Sequence, residues 1–175
     1  MFTNIKSIAL LLICLTTISG CQEDLLPSND QLPNTAHVQV GDTVDSDLSF
    51  TTSENSEELL VNRLQNHDAV VLYFTMWCPV CDSHMSHIRS HFVSQYTHVD
   101  FIFVDYVSGS ITSSQAAQTA SGYRDFDVIA DYDDGLQHYF SGTMASTIVI
   151  DKNMIILMNE EFKAGSQLEA VLEGL

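Results

Sequence analysis

The sequence predicts an α/β fold with a mixed central sheet and helices on both faces. Apolar runs at 69–76 and 99–105 have the length of strands that are buried on both sides, as in a parallel sheet. Between them, residues 79–96 repeat apolar side chains at helical spacing, which predicts the helix of a parallel β-α-β unit. The chain ends in two strand patterns and a helix pattern, which predict an antiparallel β-β-α unit.

The first elements of this domain are a short strand and a helix. The strand is predicted at 47–52 and the helix at 56–67, with Asn55 or Ser56 as its N-cap and two glutamates in its first turn. The strand at 69–76 follows. The helix at 79–96 then turns one apolar stripe towards the sheet, formed by Cys81, Met85, Ile88, Phe92 and Tyr96.

The second half of the chain continues this alternation. After the strand at 99–105, the pattern predicts a helix around 113–121 that Gly122 ends, a strand at 126–130 and a helix around 133–140. The last two strands are predicted at 146–151 and 154–159, joined through Lys152 and Asn153, and the last helix begins at Ser166.

The N-terminus has the pattern of an export signal. Lys6 precedes an apolar run at 8–18 that is too short to span a bilayer. The run ends in Ile-Ser-Gly-Cys at 18–21, which resembles the lipobox of bacterial lipoproteins. The resemblance implies that residues 1–20 are removed and that Cys21 carries the lipid. Gln22 then favours the outer membrane over the inner one, and an ordinary signal peptide with Cys21 near its cleavage site is the alternative.

The segment that follows, 21–45, is rich in proline and in polar and acidic residues, without a sustained period. We expect it to be a flexible tether between the lipid and a domain at 46–175. The chain has 23 acidic residues against 6 Lys and Arg, and its formal net charge is −17. Such a charge repels nucleic acid and anionic lipid headgroups, so neither is an expected partner.

Two of the four cysteines remain available for chemistry. Cys14 lies in the signal and Cys21 is the predicted lipid site, which leaves Cys78 and Cys81. A disulfide between them closes a very short loop and contributes little chain-entropy stabilisation. The pair is therefore expected to serve a reaction.

The segment Trp77-Cys-Pro-Val-Cys81 connects a buried strand to a helix. Cys78 is expected at the helix N-terminus, where unpaired N–H groups and the helix dipole stabilise a thiolate. Pro79 suits the first helical turn because it has no N–H to leave unpaired. Cys81 follows one turn deeper, so Cys78 is the predicted attacking thiol and Cys81 the predicted resolving thiol. A zinc knuckle would need a second ligand pair, which the sequence lacks.

These residues resemble the thioredoxin superfamily, and within it the TlpA/ResA-like exported thiol–disulfide oxidoreductases. The resemblance rests on "VVLYFTMWCPVCDSHM" and on "FDVIADYDD…YFSGTMASTIVIDKN". It implies a three-layer thioredoxin-like fold, disulfide exchange with exported proteins, an upstream redox partner, a periplasm-facing membrane anchor and no bound cofactor. Family members reduce or isomerise disulfides; reduction is the favoured direction here, with oxidation or isomerisation as the alternatives. It also implies that Trp77 packs beside the two cysteines and that Met144, Ala145 and Ser146 line the substrate groove.

Three positions depart from the pattern of this family. Leu72 stands where thioredoxins have a buried acid, and His84 stands where TlpA-like proteins often have glutamate. Ala145 stands where the family has a cis-proline, so we expect the Met144–Ala145 bond to be trans. His84 lies three residues after Cys81, and one hypothesis gives it the acid–base role of the missing glutamate. The alternative is a partly exposed histidine without a role.

A soft-metal protein is the competing functional class. Copper(I) favours thiolate, imidazole and thioether ligands, so Cys78 and Cys81 with His84 or Met144 are a possible site. His87 and His91 have the i, i+4 spacing of a metal-binding pair, but such a pair is more often a solvated helix face. The main interpretation of the sequence therefore contains no metal site, and soft-metal binding is the alternative.

Overall fold

A five-stranded mixed sheet, in the order β5-β4-β3-β6-β7, lies at the centre of the computed structural model, which describes residues 38–175. The strands are β1 (Ser49–Thr51), β2 (Glu57–Leu59), β3 (Ala69–Thr75), β4 (Val99–Asp105), β5 (Asp127–Ala130), β6 (Ser146–Asp151) and β7 (Ile156–Glu161). The helices are α1 (Leu60–Arg63), α2 (Pro79–His87), α3 (Ile111–Ala120), α4 (Gly135–Phe140) and α5 (Ser166–Leu172), with a π-helical turn (Ile88–Phe92) continuing α2.

Strand β3 is the middle of this sheet and is buried along its whole length. It pairs in parallel with β4, from Ala69 opposite Val99 to Thr75 opposite Asp105, and antiparallel with β6. The mixed sheet confirms the predicted parallel β-α-β unit joined to an antiparallel pair of strands.

The side chains of β3 alternate between two apolar layers. Val71 and Tyr73 face the layer that contains the buried residues of α2 and α5, whereas Leu72 and Phe74 face the layer that contains those of α1 and α4. The predicted helices on both faces of the sheet are therefore confirmed. Leu72, at the position of the family's buried acid, lies on the face opposite to Cys81.

The predicted helix over 56–67 was wrong at both ends, since only Leu60–Arg63 are helical. Glu57–Leu59 form β2, which pairs antiparallel with β1, and α1 is a single turn that begins at Leu60. Asn55 adopts a left-handed conformation, with φ of 62°, in the turn between the two strands. The cap-like residues at 55–58 therefore belong to a β-hairpin, because pairing with Ser49–Thr51 satisfies the backbone groups that a helix would have used.

The predicted helix over 79–96 ends earlier and changes its winding. After His87 the chain forms a π-turn, in which Val93 N–H donates to the Ile88 carbonyl at 3.1 Å. Four residues of the predicted stripe, Cys81, Met85, Ile88 and Phe92, are buried. Tyr96 lies beyond the helix and stacks on Phe92 with ring centroids 6.2 Å apart.

The chain packs against the domain before residue 46. Gly41 N–H donates to Ile156 and Val44 N–H to Met154, and the Val44 side chain is buried. The predicted signal peptide, Cys21 and the tether up to residue 37 lie outside the described residues. Within 38–175, no helix has both the length and the apolar character to cross a bilayer.

The loop between α4 and β6 is held by a close approach of backbone to core. Gly142 follows α4, and its N–H donates to the Gln137 carbonyl at 2.8 Å. A Cβ at Gly142 would lie 2.3 Å from Cε1 of Phe74, whose ring is buried under this loop. Only glycine lets the loop approach the sheet this closely.

We expect Gly142→Ala to destabilise the fold by about 1–3 kcal/mol, the usual cost of forcing an extra methyl group into a packed core. Gly174→Ala is the matched control, since its Cβ would meet nothing nearer than the Val171 carbonyl oxygen at 3.4 Å. Urea unfolding measures the difference in the free energy of unfolding between the two variants. The effect of a glycine-to-alanine change on the unfolded chain is common to both variants and cancels in this difference. Equal midpoints would contradict the close packing at Gly142.

Candidate active site

Three segments meet at one edge of the sheet and carry the candidate site. Trp77–Cys81 follow the end of β3, Tyr106 follows the end of β4, and Met144 and Ala145 precede β6. Because β3 and β4 are parallel and β6 runs antiparallel to β3, these three positions lie at the same edge. The sheet thus brings together residues that are far apart in the sequence.

Trp77 turns the chain from β3 into α2. Its φ is 56°, in the left-handed region, and its N–H donates to Thr75 Oγ1 at 3.1 Å. A left-handed conformation is costly for a residue with a Cβ, by about 1–2 kcal/mol, so the surrounding contacts must hold it. The turn leaves Cys78 in the N-cap position of α2, with Pro79 as the first helical residue. The prediction that Cys78 lies at the helix N-terminus is therefore confirmed.

The two cysteines are free thiols in contact with each other. Their Sγ atoms lie 2.8 Å apart, and the Cys81 N–H donates to Cys78 Sγ at 3.2 Å. Cys78 is partly exposed, whereas Cys81 is fully buried. This is the arrangement of an accessible thiol that meets a substrate and a protected thiol that acts only within the protein.

The pKa of Cys78 is lowered from its ordinary value. Burial acts in the opposite direction, but hydrogen bonds from the Cys81 thiol and from backbone N–H groups at the start of α2 outweigh it, since they favour the charged sulfur. A lowered pKa increases the thiolate fraction, and the thiolate is the nucleophile in disulfide exchange.

Trp77 packs against a small cluster formed by Tyr123 and Arg89. The Trp77 ring lies 6.5 Å, between centroids, from the Tyr123 ring at a tilt of 43°, and the Arg89 guanidinium lies 4.2 Å from the centroid of the Tyr123 ring. The Tyr123 hydroxyl donates to Asp82 Oδ1 at 2.9 Å, and burial followed by this carboxylate raises the pKa of Tyr123 to about 12. These contacts hold the Trp77 ring, whose residue directly precedes Cys78, and connect it to α2 through Tyr123 and Asp82.

Tyr73 is a site residue that the sequence did not single out. It is buried beneath α2, and its hydroxyl lies 3.0 Å from His84 Nδ1. Burial raises the pKa of Tyr73, and the nearby Cys81 and Cys78 thiols raise it further. Burial and the neighbouring His87 lower the pKa of His84. The Tyr73 hydroxyl therefore contacts His84, while its side chain shares a buried layer with Cys81.

The loop that precedes β6 faces the exposed thiol. Met144 Sδ lies 3.7 Å from Cys78 Sγ, and Ser146 Oγ accepts the Thr143 N–H at 2.9 Å. Ala145 adopts a left-handed φ of 69°, with its N–H donating to Phe74 and its carbonyl accepting from Phe162. No peptide bond among residues 38–175 is cis, so the predicted trans Met144–Ala145 bond is confirmed.

Exposed apolar side chains surround Cys78. Met76 and Val80 lie on either side of it in the sequence, Met144 contacts it, and all three are exposed large hydrophobic residues. We call Met76, Val80 and Met144 the apolar rim. Water-exposed apolar groups beside a reactive thiol fit a substrate that brings its own apolar surface.

The described part of the chain contains no group of three His, Cys, Asp or Glu side chains that could hold a metal ion. His84 does not join the cysteines in a ligand set, because its Nδ1 contacts Tyr73. His87 and His91 have ring centroids 5.1 Å apart, and His91 Nε2 lies 3.6 Å from Glu169. Of the predicted soft-metal ligands, the structure brings together the two cysteines and Met144 only.

Solved structures similar to this chain have the thioredoxin fold. The peroxidoxin BcpB from Mycobacterium tuberculosis is 17% identical over 79% of this chain and 99% of its own, with a TM-score of 0.63. A cysteine-to-serine mutant of PrxQ from Xylella fastidiosa is 20% identical over 79% and 96%, with a TM-score of 0.60. MTB dsbF, solved in mixed oxidised and reduced forms, is 16% identical over 74% and 95%, with a TM-score of 0.54. No family model and no curated protein sequence matches the chain.

We expect the alkylation rate of Cys78 to follow a pH midpoint below that of an ordinary thiol, about 8.5. Cys81→Ala removes the hydrogen bond that favours the thiolate, so the midpoint rises. Cys81→Ser is the matched control, since its hydroxyl still donates and the rise is smaller. Iodoacetamide labelling across a wide pH range, with Cys14 and Cys21 replaced by serine, measures the midpoints. An unchanged midpoint in Cys81→Ala would contradict the role of that hydrogen bond.

We expect Ala145→Pro to destabilise the fold by more than about 1 kcal/mol. Proline fixes φ near −65° and has no N–H, whereas Ala145 has a φ of 69° and donates to the Phe74 carbonyl. Ala145→Gly is the control and should not destabilise, because glycine adopts the left-handed conformation without strain. Urea unfolding of the three proteins tests this, and a proline variant as stable as wild type would refute the backbone geometry described for this loop.

Proposed function

We propose that this protein is a thiol–disulfide oxidoreductase that exchanges disulfides with exported proteins and acts as a reductase. The contact between an accessible thiol of lowered pKa and a fully buried thiol carries the proposal. Cys78 attacks a client disulfide and forms a mixed disulfide with one client sulfur, while the other leaves as a thiolate. Cys81 then attacks Cys78 Sγ, which releases the second client thiol and leaves a Cys78–Cys81 disulfide.

The surroundings of Cys78 support a polypeptide client. The apolar rim offers contacts for side chains next to a client disulfide, and Met144 lies against the attacking sulfur. The contact of Met144 with Cys78 supports Met144 as a lining residue of the predicted groove, whereas Ala145 and Ser146 are buried and present little surface to a client. The buried position of Cys81 keeps the resolving thiol away from solvent until the mixed disulfide has formed.

Peroxide is the second candidate oxidant of the same two thiols. Two of the similar structures are named as peroxiredoxin-type proteins, and the Cys78 thiolate is the group that would attack a peroxide oxygen. The reaction would give a Cys78 sulfenic acid and an alcohol or water, and Cys81 would condense with the sulfenic acid to the same disulfide. An assay with both oxidants separates the two functions.

Soft-metal binding is the other alternative, and one contact favours it. Cys78, Cys81 and Met144 bring three sulfur atoms together, a ligand type that copper(I) prefers. Since His84 is held by Tyr73, Met144 is the stronger candidate for a third ligand.

The proposed location is a lipid anchor at Cys21 that faces the periplasm, with the outer membrane favoured over the inner one. The lipobox-like Ile-Ser-Gly-Cys at 18–21 and Gln22 support it. Metabolic labelling of the protein with a radioactive fatty acid in a bacterial host, compared with Cys21→Ser, tests the anchor directly.

We expect the wild-type protein to reduce insulin disulfides in the presence of a dithiol donor, and Cys78→Ser to lose this activity. Cys81→Ser still attacks but does not resolve, so it accumulates a mixed disulfide with the client. Mass spectrometry of the trapped mixed disulfide identifies the client cysteine that is bonded to Cys78. Hydroperoxide consumption is measured in parallel. We expect a reduction potential of the couple nearer the value of thioredoxin, about −270 mV, than that of DsbA, about −120 mV.

Each result decides between the candidates. Insulin reduction by Cys78→Ser at the wild-type rate would refute the proposed enzyme. Hydroperoxide consumption faster than disulfide reduction would assign the peroxidase function. A couple that titrates only after removal of a tightly bound copper ion would assign the metal-binding function.

A further inference from the structure

We propose that Tyr73 and His84 form a proton relay that deprotonates the buried Cys81 thiol during resolution of the mixed disulfide. The inference rests on the proposed disulfide exchange and concerns its second step. Tyr73 packs in the same buried layer as the reacting thiol, and His84 acts through Tyr73.

Cys81 needs such a relay because no water reaches it. The thiol is fully buried, yet it must become a thiolate to attack Cys78. No carboxylate, lysine or arginine among residues 38–175 is hydrogen-bonded or ion-paired to Tyr73 or His84. The titratable groups that face the relay are Cys78 and Cys81, Tyr106 after β4, and His87 one turn along α2.

Tyr73 connects the thiol to the histidine. Its hydroxyl lies 3.0 Å from His84 Nδ1, and its side chain packs in the same buried layer as Cys81. Its ring is held edge-on by Phe103 and Phe162, each with a centroid 5.9 Å away. The hydroxyl is therefore fixed in position, and a raised pKa keeps it protonated, so that it passes a proton on and does not remain ionised.

His84 connects the relay to water. It is partly exposed, its ring packs on Phe162 at 4.9 Å, and its Nε2 has no partner within the described residues. As the proton acceptor from Tyr73, Nδ1 must be unprotonated, which places the ring proton on Nε2. Its lowered pKa keeps the imidazole neutral and able to accept at neutral pH.

The resolving step then balances as follows. The Cys81 proton moves to Tyr73 Oη while the Tyr73 hydroxyl proton moves to His84 Nδ1. The Cys81 thiolate attacks Cys78 Sγ, the bond between Cys78 and the client sulfur breaks, and the client leaves with that electron pair as a thiolate. The imidazolium returns its extra proton to water or to the client thiolate. Two protein thiols are oxidised to a disulfide, and the client disulfide is reduced to two thiols.

The relay predicts a particular pH dependence. In the wild type, resolution slows only when the pH falls through the lowered pKa of His84, because imidazolium cannot accept the proton. Without the relay, no neighbouring group takes up the Cys81 proton, so the rate falls steadily as the pH falls. The wild type and the variants should therefore differ most at pH values above the lowered pKa of His84.

The test uses Ellman's reagent with the reduced full chain, in which Cys14 and Cys21 are replaced by serine. A fast phase that depends on reagent concentration reports attack by Cys78, and a second phase, independent of concentration, reports resolution by Cys81. Near neutral pH, we expect Tyr73→Phe and His84→Asn to slow the second phase by about 10²-fold, the lower end of typical acid–base assistance. The first phase should stay unchanged, and the difference between the second phases should shrink as the pH rises, because hydroxide then replaces the relay as the base.

His91→Asn is the matched control, because it removes a histidine from the same face that has no contact with Tyr73. Tyr73→Phe keeps the ring packing, and His84→Asn carries the test alone if Tyr73→Phe does not fold. If the second phase of His84→Asn has the same rate and pH profile as that of the wild type, the relay is overturned and the proposed exchange stays intact. A wild-type protein without any second phase would overturn both.

Discussion

The junction where β3 becomes α2 is the constraint on which the site depends. Strand β3 is bonded on both sides, so its end cannot shift without disturbing β4 and β6. Trp77 takes up the change of direction in one left-handed residue, and the next residue is already the cap of a helix. The Cys78 thiol therefore lies at the N-terminus of α2, where the N–H groups of the first helical turn are unpaired. The same junction places Cys81 one turn below and gives the two sulfurs different exposure, which disulfide exchange requires.

Alternation along β3 explains why a tyrosine hydroxyl is present in the core below the site. Residues 71 and 73 face α2, whereas 72 and 74 face the opposite layer. A hydroxyl buried without partners is unfavourable by about 1–3 kcal/mol in proteins. Tyr73 avoids this cost through the contact of its hydroxyl with His84 Nδ1, and phenylalanine would fill the same space among its aromatic neighbours. Packing alone therefore does not account for the hydroxyl.

Much of the fold was predictable because its central strands and the first helix of the site carry strong local patterns. The helix over 56–67 failed because capping residues and acidic first-turn residues are local signals, while pairing of Glu57–Leu59 with β1 depends on the preceding strand. The cysteine pair was predictable from its spacing and its place after a buried strand. Tyr73 was not, because a tyrosine within an apolar run is ordinarily a core residue. The period-2 pattern puts it on the face of Val71, but the sequence does not state that α2 covers that face.

A neutral pair below the thiols has an advantage over a carboxylate. The two cysteines have opposite needs: Cys78 must ionise before a client arrives, and Cys81 must stay protonated until the mixed disulfide exists. A buried negative charge beside them would favour protonated sulfur at both positions and thus oppose the first need. Tyr73 and a neutral His84 add no charge at rest, so the hydrogen bonds that lower the pKa of Cys78 are not opposed. In the proposed relay, a positive charge forms on His84 only while Cys81 becomes negative, and the two charges stabilise each other across Tyr73. Leu72, which stands where thioredoxins have a buried acid, is consistent with efficient exchange in this proposal, because the proton would leave through Tyr73 and His84.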